Sequence, residues 1–190
     1  MNKKMLLLAA TVTTSFILIA CDNDSQDDEM MTSMQSSNQM GASTKGIENK
    51  TFDISMEQAV KIFKETYPDA QIVSINLDKN FTNYVYEIEG FNESQEIELS
   101  IDTMSGEISK QKTENKDDLI DDDSLDLEGI ITPEEAMKIA LEQVGKGYAK
   151  DWGLDSENGK IYYEVDIEGG GQSNDDALID AKTGEFIGLD

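Results

Sequence analysis

Apolar residues along this chain recur at two different spacings, and the change from one to the other marks the predicted elements. A spacing of about 3.6 residues before Pro68 predicts a helix whose buried face carries Met56, Ala59, Val60 and Phe63. Pro68 limits this helix, because the residue before a proline disfavours helical geometry. Beyond it the spacing falls to two, as in half-buried antiparallel strands, at Val73, Ile75 and Leu77, at Tyr84, Tyr86 and Ile88, and at Ile97, Leu99 and Ile101.

The whole pattern occurs twice. Residues 54–62 match residues 131–139, and the spacing of 77 positions between them continues into the strands. A tandem repeat predicts two similar structural units. We place repeat 1 at residues 52–112 and repeat 2 at residues 130–190. The predicted fold class is α+β, with each unit made of one helix packed on a three- to four-stranded antiparallel sheet.

The predicted helix ends carry their own sequence signals. Ser55 with Gln58, and Thr132 with Glu135, have the spacing of a capping box, in which the two side chains satisfy backbone N–H groups at a helix start. Gly145 follows the second apolar stretch and suits a helix C-terminus. These signals predict that both helices begin at equivalent positions.

The first 21 residues resemble the signal peptide of bacterial lipoproteins. A short basic start precedes an uncharged run from residue 5 to residue 20, which ends at Cys21, the one cysteine of the chain. Leu18-Ile19-Ala20-Cys21 resembles the lipobox, in which the cysteine is acylated and becomes the new N-terminus. We therefore expect lipidation at Cys21 and an extracytoplasmic protein anchored to the bacterial cell membrane.

Two segments lack any apolar period. Residues 22–51 are polar and are predicted to form a disordered tether, because they cannot bury enough apolar surface to fold. Residues 113–129, which include a run of aspartates, are predicted to form an acidic linker between the repeats.

Charge and composition exclude several kinds of function. The chain has 40 Asp and Glu residues against 15 basic residues, all of them Lys, and its net charge is -25. Such a charge repels nucleic acid, so we expect no nucleic-acid partner. Because the chain has no His and no second cysteine, it lacks the usual groups for triad and zinc-dependent hydrolysis. We expect no enzymatic activity and no cofactor.

The repeated residues resemble the PepSY domain. The resemblance rests on a buried alanine in each helix, a Tyr-Glu-apolar strand and a turn before the last strand, at Ala59 and Ala136, Tyr86-Glu87-Ile88 and Tyr163-Glu164-Val165, and Ile101–Ile108 and Ile179–Phe186. That family occurs in propeptides of thermolysin-like metallopeptidases and in bacterial surface proteins, and is thought to restrain secreted peptidases. The resemblance implies a non-catalytic binding or inhibitor-like role. No binding residues can be carried over position by position, so the binding residues stay unknown.

One stretch has part of the pattern of a calcium-binding loop. From Ser124 onward, Asp126, Glu128 and Glu135 stand at spacings suited to oxygen ligands. The first position is Ser124 rather than an aspartate, and the last part of the stretch is explained by the start of the second helix. We therefore expect no specific metal site, and these three carboxylates are the weak candidates.

Three other features have a structural and a functional interpretation. Trp152 matches Ile75 of repeat 1, an inward strand position, which favours core packing over a binding role. Gly169-Gly170-Gly171 lacks the lysine and following helix of a phosphate loop and is predicted to be a hairpin loop. Glu87 and Glu164 could be paired carboxylates of a hydrolase, but in the repeat they are predicted to face water.

Two functions remain open at this stage. The first is a surface lipoprotein whose PepSY modules bind a protein partner, plausibly a secreted peptidase, through a sheet edge or face. The alternative is an envelope sensor or scaffold, or a weak binder of divalent cations, without inhibitory activity.

Overall fold

Each repeat forms one helix followed by four strands, as the sequence predicts. The computed structural model describes residues 45–81, 83–115, 124–170 and 175–189. Cys21 and most of the predicted tether lie outside this part. The helices are α1 (Met56–Thr66) and α2 (Pro133–Val144), and the strands are β1 (Gln71–Asn80), β2 (Asn83–Phe91), β3 (Gln95–Asp102), β4 (Ile108–Asn115), β5 (Tyr148–Glu157), β6 (Lys160–Glu168), β7 (Asp175–Asp180) and β8 (Phe186–Leu189). Neither helix has the length and apolar character that a bilayer crossing requires.

Both capping boxes form. The Gln58 backbone N–H donates to Ser55 Oγ at 3.3 Å, and the Gln58 side chain accepts from the Ser55 N–H at 2.8 Å. The equivalent distances at Thr132 and Glu135 are 3.2 and 3.0 Å. Helix α2 ends as predicted at Gly145, whose φ of 79° is left-handed and suits a residue without Cβ.

The strands of both repeats join in one eight-stranded antiparallel sheet with the order β4-β3-β2-β1-β5-β6-β7-β8. The junction is the pairing of β1 with β5, which are the first strands of the two repeats. Asn76 lies opposite Gly153, its own counterpart at the repeat spacing, while Leu77 lies opposite Trp152. A half-turn about an axis perpendicular to the sheet, at the Asn76–Gly153 pair, therefore places each repeat on the equivalent positions of the other. This axis is a pseudo-twofold axis.

The core lies between the helices and one face of this sheet. Directly paired positions give one row across four strands, Tyr86, Leu77, Trp152 and Val165. The four side chains are each at most 4% exposed. Trp152 thus lies in the core, which confirms the prediction from its match to Ile75.

The segment leading into each repeat crosses to the other repeat. Ile47, in a 3-10 turn before repeat 1, is 2% exposed, and the Glu48 carboxylate accepts the Ala149 N–H of β5 at 3.1 Å. At the equivalent place, the Leu125 N–H donates to the Ile72 carbonyl of β1 at 2.8 Å. Leu125 stands one repeat spacing after Glu48, and Ala149 stands one repeat spacing after Ile72, so the two hydrogen bonds are equivalent. The two repeats are therefore braced to each other by matching crossings.

These crossings correct two predicted boundaries. Residues 45–51 belong to the folded part and not to the tether, since Ile47 is buried in the core and the Glu48 carboxylate accepts a backbone N–H of β5. Strand β4 extends to Asn115, so strand pairing covers the first three residues of the predicted linker. Leu125 and Leu127 at its other end are half-buried against the core.

A bulge in β1 changes one predicted core position. The register with β2 shifts between Ile72 and Ser74, so Ile72 is buried and Val73 is only half-buried, contrary to the simple alternation. Gly90 lies opposite Ile72, and a Cβ added there would meet the Gln71 carbonyl oxygen at 2.3 Å and Phe63 Cζ at 2.8 Å. Glycine at position 90 therefore allows the bulge and the α1 side chain to approach the strand.

Two buried tyrosines hold the helix starts to the sheet. Tyr86 donates its hydroxyl to the Ile54 carbonyl at 3.0 Å, and Tyr163 donates to the Ile131 carbonyl at 2.9 Å. Burial raises the pKa of both phenols far above the ordinary value, and the nearby carboxylates Glu57 and Glu134 raise the pKa further. Both tyrosines therefore stay protonated in the folded protein at alkaline pH.

Gly90→Ala should lower the free energy of unfolding by about 2 to 3 kcal/mol, because the new methyl group overlaps a backbone oxygen that the bulge holds in place. Urea unfolding of the full chain measures this. Gly188→Ala is the matched control, since a Cβ at that strand position meets nothing within 4 Å. Equal stability of the two variants would contradict the role assigned to Gly90.

Stability should fall as pH rises above about 10, where the unfolded chain releases phenolic protons that the folded protein keeps. Each buried tyrosine contributes a slope of up to about 1.4 kcal/mol per pH unit. Tyr86→Phe should cost about 1 kcal/mol at pH 8 through the lost hydrogen bond and should reduce the slope. Val60→Ala, which removes no titrating group, should keep the parent slope. If a Tyr86→Phe, Tyr163→Phe double variant kept the slope of stability against pH, the two buried phenols would not be its cause.

Candidate functional site

The sheet face opposite the helices, here called the open face, is covered by neither helix and is rich in carboxylates. Glu87, Asn76, Gly153 and Glu164 are paired in a single row across β2, β1, β5 and β6, at the pseudo-twofold axis. Paired residues share a face of an antiparallel sheet, so this row and its neighbours at every second position define the open face. Its acidic residues include Asp78, Glu87, Glu89, Glu96, Glu98, Asp151, Asp155, Glu164, Asp166 and Asp176.

Burial perturbs several of these carboxylates. It raises the pKa of Asp155, and the charge of Glu89 raises it further. Burial likewise raises the pKa of Asp151, although Lys150 opposes the shift. Burial and a hydrogen bond with Glu98 raise the pKa of Glu87. A positive charge that approaches this face would favour the ionised form of these groups.

Lysines neutralise only part of the open face. Lys110 on β4 pairs with Glu98 and lies 3.6 Å from Glu87. Its hydrogen bond is the main reason that the pKa of Glu98 is lowered. Lys150 lies 3.1 Å from Asp151 and also pairs with Asp166. The carboxylates named above outnumber these lysines, so the open face keeps a negative charge.

Glu87 and Glu164 do not form a catalytic pair. They lie in the same row but on strands separated by three strand spacings, which places their backbones about 14 Å apart. Glycosidase carboxylates lie about 5 to 9.5 Å apart. Both side chains are half-exposed on the open face. Their matching positions follow from the repeat.

A cavity of about 180 Å³ lies on the other side of the sheet, between the two helix starts. We call it the inter-repeat cavity. Leu77, Tyr86 and Trp152 form its floor, and Met56 and Met137 line its walls. Residues 47–52, which lead into repeat 1, lie along its outer side through Ile47, Glu48, Lys50 and Phe52. Both repeats therefore contribute to one enclosed space.

The rim of the inter-repeat cavity is acidic. Glu57 and Glu134 occupy the second helical position of α1 and α2, where a carboxylate interacts favourably with the helix dipole. Both helix starts meet here, so their like dipole ends face a common space, and the two glutamates offset that repulsion. Both glutamates line the cavity, and their charges raise the pKa of Tyr86 and Tyr163 beyond the larger effect of burial.

The weak calcium candidates are held by other protein groups. Asp126 accepts from the Glu128 N–H at 3.1 Å and from the Lys182 ammonium at 3.0 Å, and its pKa is lowered mainly by Lys182. The Glu135 carboxylate belongs to the capping box of α2. Within the described residues no group of three or more acidic side chains is arranged to hold a metal ion. The structure does not bring Asp126, Glu128 and Glu135 together as one ligand set.

The first two residues of the glycine run follow β6 directly. Gly169 has a φ of 87° and lies in the turn after this strand, while Gly171 falls outside the described residues. The next described element is β7, which pairs antiparallel with β6, so Gly169 and Gly170 begin the connection between two paired strands.

Sequence reasoning missed the inter-repeat cavity, because it needs the packing of the two repeats. One signal was present: each capping box marks where its helix begins, and an acidic residue, Glu57 or Glu134, then falls at the second helical position. A sequence does not indicate that these two helix starts meet. The open face was foreseen only as alternating polar strand positions.

Comparisons with known proteins agree with this architecture. Residues 53–112 and again 130–190 match the PepSY family, "Peptidase propeptide and YPEB domain". "Uncharacterized protein YkoJ" of Bacillus subtilis (strain 168) is 27% identical over 135 residues, which cover 71% of this chain and 74% of that protein.

A crystal structure of a protein described as a "putative lipoprotein" from Clostridium difficile 630 has the same fold, with a TM-score of 0.70 and 29% sequence identity. The match covers 77% of this chain and 98% of that one. The two stretches that match the family make up more than half of the sequence, so this chain belongs to the PepSY domain family and carries the domain twice.

Proposed function

We propose that this protein is a non-catalytic lipoprotein, held on the outside of the cell membrane through Cys21, that binds a protein partner and restrains it. The family match supports a binding role, since the family description refers to peptidase propeptides. The related protein described as a lipoprotein supports the anchor. The carboxylate-rich open face supplies the observation that carries the proposal, because it is a broad surface built for contact rather than for chemistry.

The partner presents a cationic surface to the open face. The carboxylates of the open face, which include Asp78, Asp155 and Glu164, outnumber its lysines and attract lysine and arginine side chains, which speeds encounter and selects against acidic proteins. Burial, and after it the charge of Glu89, raises the pKa of Asp155, and an incoming cation would favour the ionised form of this carboxyl. Binding of this kind weakens as salt screens the charges.

The proposed partner is a secreted peptidase, and the proposed mechanism is occlusion. A sheet of eight strands braced by two helices is a rigid surface, so it can cover a substrate cleft without losing much conformational freedom on binding. The outer edge of β4 provides a second contact, since the strand is exposed along its whole length. Its lysines, Lys110 and Lys112, disfavour uncontrolled edge pairing.

Titration of the full chain against secreted metallopeptidases of the same cell should slow peptide cleavage at micromolar protein, and higher salt should weaken the effect. An open-face variant with Asp78→Asn, Asp155→Asn and Glu164→Gln should bind about tenfold or more weakly, because three attractive charges are lost.

The matched control removes three charges elsewhere, through Glu65→Gln, Asp69→Asn and Glu142→Gln, at exposed positions outside the open face. It should inhibit like the parent. If both variants lost inhibition equally, net charge and not the open face would explain the binding. Binding without any slowing of cleavage would favour a scaffold, and no interaction with any secreted peptidase would refute the proposed partner.

Cys21→Ser should abolish membrane anchoring, because the sulfur that carries the acyl chain is absent. In cells, the parent protein should partition with membranes and with the detergent phase, and its mass should include the lipid. The variant should lose the lipid mass. A Ser25→Ala variant, changed just after the cysteine, should behave like the parent. Parent protein with an intact leader and a free Cys21 would contradict the anchor.

A further inference from the structure

We infer that the inter-repeat cavity binds a linear alkylammonium group, with the alkyl stem inside and the ammonium at the acidic rim. The inference does not depend on the proposed peptidase partner. It rests on the size of the cavity, the nature of its floor and the charge of its mouth, all of which belong to residues of both repeats.

The size and lining suit an aliphatic stem. At about 180 Å³ the cavity is larger than the engineered cavity of about 150 Å³ that binds benzene in another protein. Leu77, Met56 and Met137 are each at most 5% exposed, so they present apolar surface that is already shielded from water. Thioether side chains adapt to irregular ligands. A chain of four or five carbons would therefore fill the space with apolar contacts.

The aromatic residues of the floor suit the alkyl stem. Tyr86 and Trp152 lie with ring centroids 6.2 Å apart on the cavity floor. Aromatic rings offer a broad apolar surface to the methylene groups, while the ammonium stays at the rim. Lys50 also lines the cavity, and its ammonium lies 5.4 Å from the centre of the Tyr84 ring.

The rim completes the match. Glu48, Glu57 and Glu134 line the same cavity, against the one lysine Lys50. An ammonium that stays at the rim keeps part of its hydration while it meets these carboxylates, as long cationic side chains do at other apolar surfaces. An anionic or neutral chain of equal length would lack this contribution. The cavity therefore selects for the charge as well as for the stem.

The natural source of this group is either a free aliphatic amine or the side chain of a lysine in a polypeptide. Both have the same chemistry at the cavity.

Fluorescence of Trp152 provides the test, because it is the one tryptophan of the chain and lies on the cavity floor. The full chain in mild detergent is titrated with n-butylammonium chloride at constant ionic strength. We expect a saturable change in the millimolar range, and affinity at least about tenfold lower for n-butanol and for sodium butyrate. A capped lysine peptide in a parallel titration distinguishes the two sources, and saturable binding of either compound supports the site.

Two variants separate the rim from the floor. Glu134→Gln should weaken n-butylammonium binding several-fold, whereas Glu65→Gln, an equal charge change on an exposed residue of α1, should not. Met137→Phe should fill the cavity and abolish binding, with Met104→Phe at an exposed position as its control. Circular dichroism verifies that each variant is folded. Equal affinity for n-butanol, no saturable signal, or an unaffected Glu134→Gln variant would each overturn the inference and leave only a hydrated packing space.

Discussion

The pairing of β1 with β5 is the interaction on which the rest of the molecule depends. Each repeat has about 60 residues, near the lower limit at which one hydrophobic core supports a fold. Alone, each would expose its first strand as an open edge. Joining the two edges buries both, places Leu77 against Trp152, and brings the two helix starts over a common floor. The open face and the inter-repeat cavity exist only because this junction forms.

Local elements were predictable because their causes are local. The capping boxes at Ser55 and Thr132, the end of α2 at Gly145 and the inward position of Trp152 follow from neighbouring residues or from the repeat. The bulge at Val73 was not predictable, since strict alternation gives no sign of it. It depends on contact between Gly90 and a helix side chain distant in sequence.

The candidate sites depend on contacts between the repeats, which is why sequence patterns revealed little of them. Nothing in the run from residue 45 to residue 51 distinguishes the buried Ile47 from the polar tether before it, because one isoleucine has no period. The acidic residues were visible as composition, but their division between an open sheet face and a cavity rim requires the strand register. The loop-like spacing around Asp126 was visible too, while its partner Lys182 comes from the other end of the repeat.

The crossing of Ile47 and Glu48 onto β5 has a mechanical consequence. Traction applied from the N-terminal side reaches the fold first at these residues, which are packed and hydrogen-bonded to repeat 2 rather than to the repeat that follows them in sequence. Tension is thus delivered near the centre of the sheet and beside the inter-repeat cavity. The lead-in segment is therefore the first part of the fold to resist a pull from that side.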